Sequence, residues 1–170
     1  TQEQPLEVRP DPRAKATETE LERQFELGIK VRDRFTDLHR GINRLREVRA
    51  QLDALSARLA LDPARRPLAE RSRAITKSLT AVEEQLVQVK MKSTEGNLRF
   101  PSMLNEQLDT LRYVVESADG TPSEPVYKVF DELSSRLDAQ LSALATLLDR
   151  DLPAFNEEVR AAGVPAVSAP

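Results

Sequence analysis

Apolar residues recur along most of this chain in alternating steps of four and three, the spacing that draws one narrow stripe along a single helix face. The clearest run is Leu68, Ser72, Ile75, Leu79, Val82, Leu86 and Val89. An earlier run holds Val31, Phe35, Leu38, Ile42, Leu45, Leu52, Leu55 and Leu59, and Leu21, Phe25 and Gly28 extend it backwards. Two more follow: Leu104, Leu108, Leu111, Val115 and Ala118, then Val126, Phe130, Leu133, Leu137, Leu141, Leu144 and Leu148. Each predicts a helix that buries one face against other helices, and no strand pattern competes.

Proline and glycine set the borders. Pro5, Pro10 and Pro12 sit in a polar opening, so residues 1–16 are expected to form an extended linker or tail. Thr17 followed by Glu20 has capping-box spacing, and no proline then appears before Pro63. The first helix should therefore run roughly 43 residues, about 64 Å at the usual helical rise. Asp62, Pro63 and Pro67 break the chain, and a second helix is expected from Pro67 to Lys92. Ser93 to Pro101 reads as a loop, with Pro101 opening a third helix that ends at Ala118. Gly120 and Pro122 precede a fourth helix. It either kinks near Pro153 or restarts there with Asp151 as its cap, and it runs to Ala162 before Gly163 and Pro165.

These elements predict an all-α fold, an elongated antiparallel four-helix bundle with two long helices and two shorter ones, spanning residues 17–163. Residues 164–170 are left as a C-terminal tail. Since the first and fourth helices exceed the others, the four-helix overlap should be flanked by a stretch where only two helices remain. Seam residues uncovered there would be offered to a partner or a second copy of the chain.

Composition narrows the function classes. The chain has 170 residues, enough for one domain with a core, with 39% apolar and 31% charged residues and only five Gly. Twenty-five Lys and Arg against 28 Asp and Glu leave a net charge of -3, which offers no long-range attraction to nucleic acid or anionic lipid. Aromatic content is 4% without Trp, so platforms for stacking bases are nearly absent. The absence of Cys removes disulfides and thiolate metal sites. No run of about 18 apolar residues is present to span a membrane. The chain starts at Thr1 with no signal peptide pattern, which suggests a trimmed or excised segment.

Candidate chemistry is sparse. The single histidine, His39, follows Thr36 at the position where a di-metal bundle would require Glu, so no Glu-x-x-His pair exists. It reads instead as a helix-boundary imidazole beside Phe35 and Ile42. Nucleophilic catalysis lacks Cys, and His39 is the only imidazole base available to any Ser or Thr. Glu83 and Glu84, like Glu157 and Glu158, are neighbours pointing about 100° apart on a helix and read as solvated charges. Arg40, Arg44, Arg46 and Arg49 could track a phosphate backbone, but Asp37, Glu47 and Asp53 are interspersed among them. Arg65 and Arg66 are suited to the carboxyl end of the first helix. Arg49 falls on the seam between Leu45 and Leu52, which predicts a packed stem and a guanidinium that reaches outward toward Glu83.

The stretch Arg99 to Val126, RFPSMLNEQLDTLRYVVESADGTPSEPV, resembles the carboxyl-terminal helical region of bacterial sortilin-like (VPS10-type) proteins, also described as BNR-repeat or glycosyl hydrolase proteins. The opening PLEVRPDPR is similar to the exit from their β-rich domain, and DLPAFNEEVRAAGVPAV to the close of the helical region. The resemblance implies a periplasmic or secreted parent with an amino-terminal β-propeller, where any catalytic residues would lie. The functional expectation is a noncatalytic accessory domain that docks against its parent's other domains or forms oligomer contacts. A stand-alone helical sensing or ligand-binding module is the alternative. No catalytic, cofactor-binding or metal residue is assigned, no cofactor is expected, and the partner is expected to be protein rather than nucleic acid.

Overall fold

The computed structural model of the protein describes residues 3–9, 11–13 and 15–167, the side chains of Thr94 and Asn97 excepted. Helix α1 spans Glu18–Leu59, α2 Arg66–Leu86, α3 Leu104–Glu116, α4 Glu124–Thr146 and α5 Leu152–Ala161. A π turn, Leu147–Asp151, joins α4 to α5 without interruption, so the described residues hold four α-helical rods, two long and two shorter. Among the described residues there is no strand. Helix α1 begins as its sequence dictates: the Thr17 hydroxyl accepts the Glu20 amide at 3.3 Å, and the Glu20 carboxylate accepts the Thr17 amide at 2.8 Å.

The two shorter helices lie one after the other along α1. Helix α2 runs antiparallel to the second half of α1, where the Ser72 hydroxyl donates to the Leu52 carbonyl at 2.9 Å and the Ser56 hydroxyl to the Ala69 carbonyl at 3.3 Å. Helix α3 continues in the same direction beside the first half, where the Gln24 amide donates to the carbonyls of Val115 and Ala118 at 2.7 and 2.8 Å. The α4–α5 rod runs alongside both, with Arg136 donating to Gln107 at 3.0 Å on α3 and Arg71 pairing with Glu158 at 3.0 Å on α2. Each level of the elongated bundle therefore holds α1, one shorter helix and part of the α4–α5 rod. The core follows this seam without a gap, from Leu27, Val31 and Leu38 to Leu45, Leu52, Leu55 and Leu59 on α1.

Two local features let the rods approach and continue. Gly41 faces α4 so closely that a Cβ there would meet Leu141 Cδ2 at 2.9 Å. Pro153 lacks an N–H, and in a regular helix its ring would press on the Asp149 carbonyl. The π turn absorbs this: the Leu152 amide donates to Leu147, five residues back. The helix neither restarts nor uses Asp151 as a cap, since Asp151 keeps helical angles of -77° and -38° and makes no capping bond.

Several expectations change. The stretch with only two helices does not occur among the described residues, because α3 covers the part of α1 that α2 leaves. Helix α2 stops at Leu86 rather than Lys92, since Val87 turns extended and packs its side chain on the core, leaving Val89 exposed. Helix α3 starts at Leu104 rather than Pro101, where the Met103 amide donates to the Glu106 carboxylate at 2.8 Å, and Ala118 lies beyond its end. On α1 the buried stripe reaches back to Leu27, while Phe25 stands 68% exposed. A helix of 3.6 residues per turn drifts against a seven-residue repeat, so the buried stripe precesses over 42 residues. The segment after α5 is tied down as far as it is described. Val167 is buried, and Asn156 accepts its amide at 3.0 Å and donates to its carbonyl at 2.6 Å. Residues 168–170 of the expected tail lie outside the described residues.

Leu79 is fully buried and Glu84 exposed on the same helix. Leu79→Asp is expected to lose several kcal/mol, on the order of 4, because a carboxylate must be buried unpaired or force the seam open. Glu84→Ala should stay within about 0.5 kcal/mol; equal thermal melts of the two variants would contradict the packing of α2. The length of α1 sets a second expectation. A compact chain of this size has a radius of gyration of about 15 to 16 Å, whereas a rod built on 42 helical residues should give roughly 19 to 20 Å. Small-angle scattering on a chain lacking residues 1–16 separates the two.

Candidate functional site

The residues singled out for chemistry are dispersed. His39 is exposed and stacks tilted on Phe35, ring centroids 4.6 Å apart. Among the described residues no group of three or more His, Cys, Asp and Glu is placed to hold a metal ion. The arginine run is consumed by ties within the bundle: Arg40 reaches Asp37 at 3.9 Å, Arg44 reaches Asp149 at 3.5 Å, and Arg46 and Arg49 both reach Glu83. Arg65 pairs with Asp62 at 3.3 Å, and Arg66 stays exposed. Glu157 pairs with Arg160, Glu158 with Arg71, and Glu84 faces solvent.

Glu83 departs from the solvated reading: its side chain is only 3% exposed, and it is the single buried ionisable side chain among the described residues. Arg46 donates from Nε to Oε1 at 2.6 Å, and Arg49 donates from Nη1 to Oε2. The two arginines stand three apart on α1, so their side chains rise from adjacent turns to one point. The Arg49 tie is the one its seam position predicts. What the sequence pattern misses is that Glu83 follows Val82 on the inner flank of α2, where the neighbouring helix closes over it. Burial alone pushes the Glu83 carboxyl up, but the two guanidiniums more than offset this, and it lies below its ordinary value.

Elsewhere the surface carries apolar groups without cover. Among the described residues, the exposed large apolar side chains on α1 to α5 are Phe25 on α1, Tyr113 and Val114 on α3, and Val129 on α4. All gather around α3, which has a groove on each side. The α3–α4 groove, about 540 Å³, is floored by Leu111, Val114, Val126, Val129 and Leu133, with Glu132 and Arg136 on its rim. The α1–α3 groove, about 380 Å³, is floored by Leu21, Phe25, Gly28, Ile29 and Val115. Both flanks of α3 are thus open, one toward α4 and one toward α1. The four-three pattern could point to Phe25 as apolar and helical, yet it could not show that nothing packs on it.

No family model, curated protein or solved structure matches the chain. The fold defines a class, an all-α bundle of four helical rods among the described residues, with uncovered apolar side chains around α3. No helix is long and apolar enough to cross a membrane among the described residues.

Glu83→Gln should cost about 2 kcal/mol at neutral pH, below the usual penalty for breaking a buried pair because Arg46 remains half exposed. The pH dependence has a definite sign. With the folded carboxyl lowered, its stabilisation is complete above the ordinary value of about 4.3 and is lost as pH falls through the folded value. Denaturant melts from neutral pH to about pH 3 should show stability falling more steeply in the parent chain than in Glu83→Gln.

Proposed function

We propose that this chain is a noncatalytic helical accessory domain that mediates docking within a larger extracytoplasmic protein or between copies of it. The observation that carries this reading is the gathering of Phe25, Tyr113, Val114 and Val129 around α3, beside two open apolar grooves. Uncovered apolar ground of this kind, rimmed by charged side chains, marks protein contact surfaces. The extracytoplasmic setting and the propeller-bearing parent rest on the resemblance of Arg99 to Val126 and its flanks to sortilin-like helical regions. A ligand-sensing module is the second reading, favoured by the α3–α4 groove, whose volume lies within the range of small-molecule sites. That groove is open along its side, which suits a side-chain stripe better than an enclosed ligand.

The gene upstream of Thr1 supplies the test. A β-propeller encoded there, with Val114 and Val129 protected from carbene labelling when the two parts are joined, is the expected result. A start codon immediately before Thr1 would refute the accessory role. Unchanged labelling in the joined protein would refute docking through α3.

A further inference from the structure

The two grooves beside α3 differ in charge, and the difference bears on what each can receive. On the α3–α4 side the rim holds one acid and one base, Glu132 and Arg136. On the α1–α3 side the balance is acidic. Glu18 and Glu22 stand one turn before Leu21 and Phe25, close enough to flank them, and neither has a cationic partner among the described residues. The two arginines of that groove are already engaged, Arg32 with Asp33 at 2.6 Å and Arg112 with Asp109 and Glu116 at 2.9 and 2.8 Å. Guanidiniums so occupied leave the surplus carboxylates as the net field of the rim.

The floor of this groove also has a definite repeat. Leu21, Phe25 and Ile29 recur every four residues along α1, one face over about 12 Å of helix rise. Phe25 projects 68% exposed from the middle of that face, and Gly28 leaves open space beside it, with nothing nearer to a Cβ than Val115 at 4.0 Å. Such a two-turn apolar track beside a second helix accepts the apolar stripe of a third helix. We propose that the α1–α3 groove receives an amphipathic helix of a partner protein, with its apolar stripe on Leu21, Phe25 and Ile29 and lysine or arginine on its flanks. A second copy of this chain is a poor occupant, because the same surface would bring acidic rim against acidic rim. The proposal rests on the reading of this chain as an interaction domain and names the chemistry of one partner.

The experiment uses three fluorescent peptides on the full chain: a helix with a leucine stripe and lysine flanks, the same stripe with glutamate flanks, and the lysine composition in scrambled order. Anisotropy is read at low and at physiological salt for the parent, for Phe25→Ser and for Val129→Ser, with thermal melts confirming that both variants fold. The lysine-flanked stripe should bind the parent, weaken on adding salt, and lose at least about tenfold in affinity, or 1.4 kcal/mol, with Phe25→Ser but not with Val129→Ser. Equal binding of the lysine and glutamate peptides through Phe25 would overturn the cationic partner and leave the interaction reading intact. Sensitivity to Val129→Ser instead would move docking to the α3–α4 groove and overturn this site alone. Equal binding of the scrambled peptide would reduce the effect to nonspecific charge and overturn the proposal. Self-association that vanishes in Phe25→Ser would assign the face to a second copy and overturn the partner helix. Failure of every peptide on every form would overturn this proposal and leave the interaction reading to the labelling of the joined protein.

Discussion

The need to bury one continuous apolar stripe on α1 governs this molecule. Residues from Leu27 to Leu59 on that helix are nearly all withdrawn from water along one face, and each large aliphatic side chain so buried is worth roughly 1.5–3 kcal/mol. A stripe of that length needs partners along its whole extent. The α4–α5 rod supplies one, and it stays continuous past Pro153 only because the π turn accommodates the ring. The other partner is divided: α2 covers one half and α3 the other, joined by the segment from 87 to 103. That division is what makes the bundle elongated while keeping a helix on every level.

The division has a polar consequence at its middle. Glu83 lies one turn from the end of α2, with Arg46 and Arg49 holding its carboxylate from α1. A buried carboxylate with paired guanidiniums contributes less net stability than an apolar contact would, but breaking it leaves charges stranded, so sliding α2 along α1 is costly. The tie thus fixes the register at the place where the apolar stripe passes from one covering helix to the next. Serines do similar work farther along, with Ser72 and Ser56 donating across the interface to backbone carbonyls.

The same division also leaves α3 as the shortest rod. It contributes Leu104, Leu108, Leu111 and Val115 to the core, against seven buried positions on α2. Its ends are held by side chains from neighbours, Gln24 at the carboxyl end and Arg136 through Gln107 nearer the amino end. This shortest rod is also the one bordered by uncovered Phe25, Val114 and Val129.

By itself the sequence determined the helical class, the number of rods, the start of α1 at Thr17 and the stop at Gly163, where the backbone takes a positive φ of 70°. These depend on local chemistry: periodicity, capping groups, and residues that cannot continue a helix. It also carried the reach of Arg49 toward Glu83, because a long cation on a seam must lead its charge outward. Only the tertiary structure decided that α2 and α3 share α1 end to end, that Glu83 is buried and Phe25 is not, and that Val87 leaves the helix and packs, half-buried, against the core. Each of these turns on which neighbour arrives at a given face, and a stripe on one helix states that it will be covered without stating by what. The uncovered ground around α3 belongs to the same class of fact, since exposure is the absence of a neighbour and no single residue pattern encodes an absence.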